Sequence, residues 1–82
     1  MLDELACTEK VVGVKQSKRA LREGRAGKLF LADDADPLVL APLEALCAEN
    51  GIESERGYTM AQLGAAAGIS VGAAVVALLR KQ

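Results

Sequence analysis

The chain is organised around one stretch, VVGVKQSKRALREG at residues 11–24. Its apolar start, residues 11–14, predicts a short strand that leads directly into a helix, and Gly24 is placed to end that helix as a C-terminal cap. A strand followed at once by a helix puts the first free N–H groups of the helix beside Gly13. Because such groups attract negative charge, we expect this end of the helix to face an anion.

One face of the predicted helix is basic. Its cations recur at positions i, i+3, i+4 and i+7, which share one helix face: Lys15, Lys18, Arg19 and Arg22. Residues 10–28 contain seven basic residues and one acid, whereas residues 29–55 contain seven acids and no base. The net charge of −1 therefore hides a strongly dipolar chain. This segregation suits a nucleic-acid backbone; the alternative is an ordinary solvated helix face.

Composition restricts the chemistry of the chain. Its 82 residues predict a single domain, residues 1–82. The absence of histidine excludes Ser-His-Asp and Cys-His catalysis and most zinc sites, so we expect neither an enzyme nor a bound cofactor. Phe30 and Tyr58 are too few aromatic residues for a base-stacking surface. Cys7 and Cys47 form no C-x-x-C pair and are expected as reduced thiols in the cytoplasm, and the acidic N-terminus predicts no signal peptide.

Further elements flank the basic helix. Residues 2–8 predict a short amphipathic helix that covers a sheet. The apolar run Lys28–Ala32 predicts a strand buried on both faces. Asp36 before Pro37 predicts an N-cap followed by proline at the first helical position, and Pro42 is expected to kink that helix or delay its regular part.

The C-terminal third is less decisive. Residues 52–56 predict a short strand, and Thr59–Gln62 predicts a capping box that opens a helix ending at Gly68. The apolar residues 71–79 have too few β-branched side chains to decide between strand and helix. The alternation of helices and strands predicts an α/β fold, a three-layer α-β-α sandwich around a mixed sheet of about four strands.

Four segments, in this order and spacing, carry a resemblance to a known family: residues 13–24, residues 31–37 (LADDADP), Leu46-Cys47 and residues 63–74 (LGAAAGISVGAA). The chain resembles the kink-turn-binding ribosomal-protein family, the "seven-Ae" group of the large subunit, and most of all its small bacterial stand-alone members. The resemblance implies an α-β-α fold and a cytoplasmic, monomeric RNA-binding protein. The RNA would be a kink-turn in ribosomal RNA or a riboswitch. A kink-turn is a helix bent at a bulge beside sheared G·A pairs, and preferential binding would stabilise its bent form.

The resemblance also implies roles for residues at the start of the basic helix. Gly13 would allow close backbone approach to the G·A pairs, and Lys15 and Gln16 would meet the guanine edges, where lysine donates to O6 or N7. Archaeal and eukaryotic members usually carry Asn-Glu where this chain has Lys15-Gln16. The acceptor role of the glutamate is therefore weakened, and selectivity for G·A pairs could differ.

Phosphates and the bulge would be held by other residues. Lys18, Arg19 and Arg22 would bind phosphates, with Arg19 in the place where the family usually has lysine. The loop Ile69-Ser70-Val71 would cover an unstacked bulge nucleotide; its alternative role is as core at a strand entry.

Two other interpretations stay open on sequence alone. Asp33, Asp34 and Asp36 have the oxygen ligands that Mg²⁺ prefers, although turn and capping roles explain them equally well. Residues 60–79 are apolar, with Gly64, Gly68 and Gly72 at the spacing of packed membrane helices, so a small membrane protein is the rival class. Ten of these twenty residues are alanine or glycine, however, which makes the segment a weak inserter. A basic-faced, non-specific RNA binder is the remaining alternative.

Overall fold

The computed structural model describes residues 9–80. In chain order its elements are β1 (Lys10–Val12), α1 (Val14–Arg22), β2 (Ala26–Ala32), α2 (Pro37–Glu49), β3 (Glu53–Tyr58), α3 (Met60–Ala66) and β4 (Val75–Leu79). The helix predicted over residues 2–8 and the thiol of Cys7 lie outside the described residues. The strands and helices predicted between residues 11 and 66 are confirmed, with shifts of a few residues at their ends.

The strands form one mixed sheet in the spatial order β1-β4-β2-β3. Strand β4 is antiparallel to both β1 and β2, whereas β3 runs parallel to β2. Strands β1, β2 and β3 therefore point in the same direction. Because α1, α2 and α3 follow these three strands directly, all three helices begin at the same edge of the sheet. We call this the helix-start edge; it carries Val12, Ala32, Tyr58 and the first residue of β4, Val75.

Helices cover the two faces of the sheet. Helix α1 packs against α2 and against β1, β2 and β4; α2 also packs on β3, and α3 packs separately on β2 and β4. The arrangement confirms the predicted α-β-α sandwich. Strand β2 lies at its centre, with Leu29, Phe30, Leu31 and Ala32 all buried, as the unbroken apolar run predicted.

Helix α2 contributes much of the remaining core. Leu40, Leu43 and Cys47 are buried, and burial raises the pKa of the free Cys47 thiol. Of the two effects predicted for Pro42, a delay of the regular part is wrong, because α2 is helical from Pro37 through Pro42 to Glu49, and a kink stays a prediction. Proline in the second turn removes one donor, the N–H that would bond to the carbonyl of Leu38.

The apolar segment 60–79 is divided between three structures. Residues 60–66 form α3, residues 67–74 form a loop, and residues 75–79 form β4. The interpretation of residues 60–79 as one membrane-spanning helix is therefore wrong. Within residues 9–80, no helix combines the length and the apolar character that crossing a membrane requires.

Candidate nucleic-acid interface

The first turn of α1 is built around Gly13. This residue has φ +105°, a conformation that side-chain-bearing residues rarely adopt, and a β carbon there would meet no atom within 4 Å. Its N–H donates to the carbonyl of Val75 at 3.0 Å, and its carbonyl accepts from the N–H of Ser17 at 3.0 Å. In the described structure this helix end has no side-chain cap and no acid in its first turn. The helix thus begins at an open backbone on the helix-start edge.

The predicted basic face is present on α1. Ser17, Ala20 and Leu21 are buried against the rest of the protein, which turns the opposite side of the helix outward. Four cations then line one open groove of about 340 Å³, together with Glu23: Lys15, Lys18, Arg19 and Arg22. Gln16 is exposed beside Lys15 in the first turn but does not line the groove.

Glu23 neutralises part of this surface. Its carboxylate accepts from Nε of Arg19 at 3.2 Å and from Nε of Arg25 at 2.8 Å. These two hydrogen bonds hold the pKa of Glu23 below its ordinary value, and the bond from Arg19 has the larger effect. Glu23 is therefore charged at neutral pH. Among the residues described, none of the carboxylates forms an ion pair with Lys15, Lys18 or Arg22. The spacing of Arg19 and Glu23, four residues apart on a helix, could have revealed their pairing from the sequence.

The loop after α3 presents an apolar side chain to solvent. Val71 is 69% exposed, so its interpretation as a core residue is wrong. Ile69 is half-buried and packs against the core, and Ser70 is exposed. The loop therefore has an anchored end and an outward-facing tip.

Two hydrogen bonds hold the chain just after this loop at the helix-start edge, one from the end of β2 and one from the start of α1. As the chain leaves the loop, the carbonyl of Ala74 accepts from the N–H of Ala32 at 2.9 Å, and that of Val75 accepts from Gly13 at 3.0 Å. Residues 13–16 and 69–72 consequently lie at the same edge of the sheet. Nothing local in the sequence pairs Gly13 with Val75, so this juxtaposition comes from the fold.

The acidic turn after β2 has structural partners. Asp33 accepts from Nε of Arg56 at 2.8 Å and from the N–H of Gly57 at 3.1 Å, and the Arg56 bond is the main reason that the pKa of Asp33 is lowered. Asp34 accepts from the N–H of Met60 at 2.8 Å, and Asp36 caps α2. No cluster of three potential metal ligands is found in residues 9–80. The turn and capping interpretation is therefore the one the geometry supports.

Comparison with known proteins identifies the family. Residues 5–82 match the family described as Ribosomal protein L7Ae/L30e/S12e/Gadd45. The chain belongs to this family. It is 41% identical over 70 residues to an RNA-binding protein of Geobacillus sp. (strain WCH70), an alignment that covers 85% of each chain. It is 37% identical over 68 residues to the large ribosomal subunit protein eL8 of Halobacterium salinarum, covering 82% of this chain and 57% of that protein.

A solved structure shows the same fold. The 15.5kD RNA-binding protein of Giardia lamblia superimposes with a TM-score of 0.80 at 22% identity, covering 99% of this chain and 69% of that one. The three helices and four-stranded mixed sheet of residues 9–80 therefore belong to an L7Ae-type fold, and the family resemblance drawn from the motifs is confirmed.

Proposed function

We propose that this L7Ae-family chain binds RNA and recognises a kink-turn. One observation supports this most strongly: the uncapped start of α1, with its exposed Lys15 and Gln16, lies at the same edge of the sheet as the exposed loop at residues 69–72. A bent RNA with a bulge next to non-Watson–Crick pairs offers base edges to the first and an unstacked nucleotide to the second. Relatives that are named RNA-binding proteins support the same ligand class.

The first turn of α1 reads base edges in this proposal. The open space around Gly13 lets the RNA approach the backbone closely. The Lys15 ammonium donates to guanine O6 or N7, and the Gln16 amide can donate and accept at one base edge. The groove cations Lys18, Arg19 and Arg22 bind phosphates, which fix the position of the RNA without reading its sequence.

The loop completes the interface. Val71 and the partly exposed side of Ile69 cover the unstacked nucleotide of the bulge, and Ser70 supplies a hydroxyl at the tip of the loop. Because these contacts exist only in the bent RNA, binding shifts the RNA toward that form. In this proposal the protein acts as a cytoplasmic monomer, without catalysis and without a cofactor.

The test is binding to two RNAs at one fixed, near-physiological salt concentration. The first is a kink-turn duplex; the second has the same strands with the G·A pairs replaced by Watson–Crick pairs. We expect tight binding to the first and a loss of at least about a hundredfold on the second, of the order of two lost base-edge contacts. Fixed salt is essential because phosphate contacts alone vary steeply with ionic strength.

A second candidate function is non-specific RNA binding through the basic face. It is favoured by the groove itself, where Lys15, Lys18 and Arg22 form no ion pair with any described carboxylate. Equal, weak and salt-sensitive binding to the two RNAs would support this function and reject kink-turn recognition.

A further inference from the structure

The loop at residues 69–72 rests directly on helix α3 at Gly64. A β carbon built on Gly64 would lie 2.1 Å from the carbonyl oxygen of Val71, 3.0 Å from the Val71 carbonyl carbon and 3.1 Å from the α carbon of Gly72. Real β carbons essentially never show a contact as short as 2.1 Å, so any side chain at position 64 must displace the loop backbone. The loop and the helix touch backbone to backbone.

Hydrogen bonds at both ends keep the loop in this position. The N–H of Ile69 donates to the carbonyl of Gly64 at 3.0 Å, and the N–H of Ala73 donates to the carbonyl of Met60 at 3.0 Å. Both acceptors belong to α3, and the contact at Gly64 lies between them along the loop. Helix α3 therefore fixes the distance between the loop tip and the helix.

Space, rather than backbone conformation, is what requires glycine at position 64. Gly64 is not among the positive-φ glycines of the described chain, so alanine could adopt its helical conformation. In the middle of a helix alanine is also intrinsically favoured over glycine. Helix propensity therefore disfavours glycine at position 64. The close packing of the Val71 backbone against Gly64 explains why glycine is present.

We propose that Gly64 is a positioning residue for RNA recognition. By leaving room for the carbonyl of Val71, it lets the loop lie close to α3, and this places the Val71 side chain where it contacts the bulge nucleotide. This proposal rests on the proposed kink-turn function. Gly64 itself is buried and acts through the loop.

The experiment compares Gly64→Ala with a matched control, Gly27→Ala. The three atoms nearest to a β carbon at Gly27, in β2, all belong to Arg80, and the first of them is in its flexible side chain at 3.3 Å. Binding is measured for a kink-turn RNA and for a Watson–Crick duplex of the same length. We expect Gly64→Ala to lose about tenfold in affinity for the kink-turn RNA, the value of one lost base contact. Binding to the duplex should stay within about twofold, and Gly27→Ala should match the wild type on both RNAs.

Amide hydrogen exchange of the free proteins supplies the second readout. In Gly64→Ala, the amides of Ile69 and Ala73 should exchange faster, while the amides of the buried strand β2 keep wild-type protection. This measurement needs no RNA. If the wild type fails to discriminate between the RNAs, the proposed function falls, whereas the exchange data still decide whether Gly64 positions the loop.

Two results would overturn the proposal. One is Gly64→Ala with unchanged exchange at Ile69 and Ala73; the other is faster exchange with wild-type affinity for the kink-turn RNA. If Gly64→Ala does not fold, Gly72→Ala replaces it, because its β carbon would crowd Met60 less severely, at 3.2 Å. That variant should show a smaller change of the same kind in both readouts, and the absence of either change would count against the proposal in the same way.

Discussion

The three helices of the described chain begin at the same sheet edge but with different chemistry. Helix α2 is capped by Asp36, which accepts from the N–H of Leu38 at 2.9 Å. Helix α3 has a full capping box, in which Thr59 accepts from Gln62 at 3.1 Å and the Gln62 side chain accepts from Thr59 at 2.8 Å. Helix α1 begins at Gly13, which has no side chain to offer. Two of these helix starts are capped by side chains, whereas the start of α1 has no side-chain cap.

The uncapped start of α1 also carries a positive charge, which is unfavourable at the N-terminus of an isolated helix. A cation in the first turn opposes the helix dipole, and Lys15 lies there without an acid in the same turn of the described structure. Local rules are most often broken at functional sites, where a ligand supplies what the protein omits. A phosphate or a guanine edge would supply it here.

The largest effect is expected for Lys15→Ala, which removes the side chain at the uncapped start of α1. The affinity for a kink-turn RNA should fall by about 1–3 kcal/mol, with reduced discrimination against the Watson–Crick control, because a base-edge contact is lost. The free energy of unfolding should stay the same or rise slightly, since the cation no longer opposes the helix dipole. Titrations with both RNAs and urea denaturation measure these quantities. Equal losses on the two RNAs would show that Lys15 contacts only phosphate.

Asp36→Ala tests a capped helix start in the same way and should give the opposite pattern. Loss of the cap should lower the free energy of unfolding by about 1 kcal/mol, while the affinity for RNA stays unchanged. The matched control is Asp36→Asn, which keeps an acceptor at the cap and should retain most of the stability. If Asp36→Ala weakened RNA binding as much as Lys15→Ala, the division between capped and uncapped helix starts would be wrong.

The sequence predicts which helix starts are capped, because a cap and the N–H groups that it bonds lie within a few residues of each other. Asp36-Pro37 and Thr59–Gln62 each place the cap and its helix within four residues, and the structure confirms both. The unbroken apolar run of β2 likewise reported burial on both faces. The helical periodicity also predicted correctly that the four cations of α1 lie on one face of the helix.

Local sequence patterns do not predict contacts between distant segments of the chain. Gly64, Gly68 and Gly72 share a spacing that suggested membrane packing, yet each has a different setting: backbone contact with Val71, a φ of +80° after α3, and proximity to Met60. The bond from Gly13 to Val75 joins opposite ends of the chain. A repeat in sequence says nothing about which of these conditions applies at each position.

Arg22→Ala sharpens the comparison within α1, between its first and last turns. Removing a phosphate contact should weaken all RNAs alike and reduce the slope of log affinity against log salt by about one. Arg19→Ala is the matched control, since Glu23 already offsets the charge of Arg19 at 3.2 Å. Its slope should change less. Titrations at several salt concentrations measure both slopes, and selective loss on the kink-turn RNA would contradict a phosphate role for Arg22.

The smallest effect is expected on the inward face of α1. Ser17 is fully buried, and its hydroxyl has no hydrogen-bond partner in the described structure. Replacing a buried, unpaired hydroxyl by a methyl group removes a desolvation penalty, and alanine is the better helix former. Ser17→Ala should therefore raise the free energy of unfolding by up to about 1 kcal/mol and leave RNA affinity unchanged. Urea denaturation and the two-RNA titration measure both. Lower stability would mean that the hydroxyl has a buried partner such as water, and altered RNA discrimination would mean that recognition reaches through the helix to its buried side.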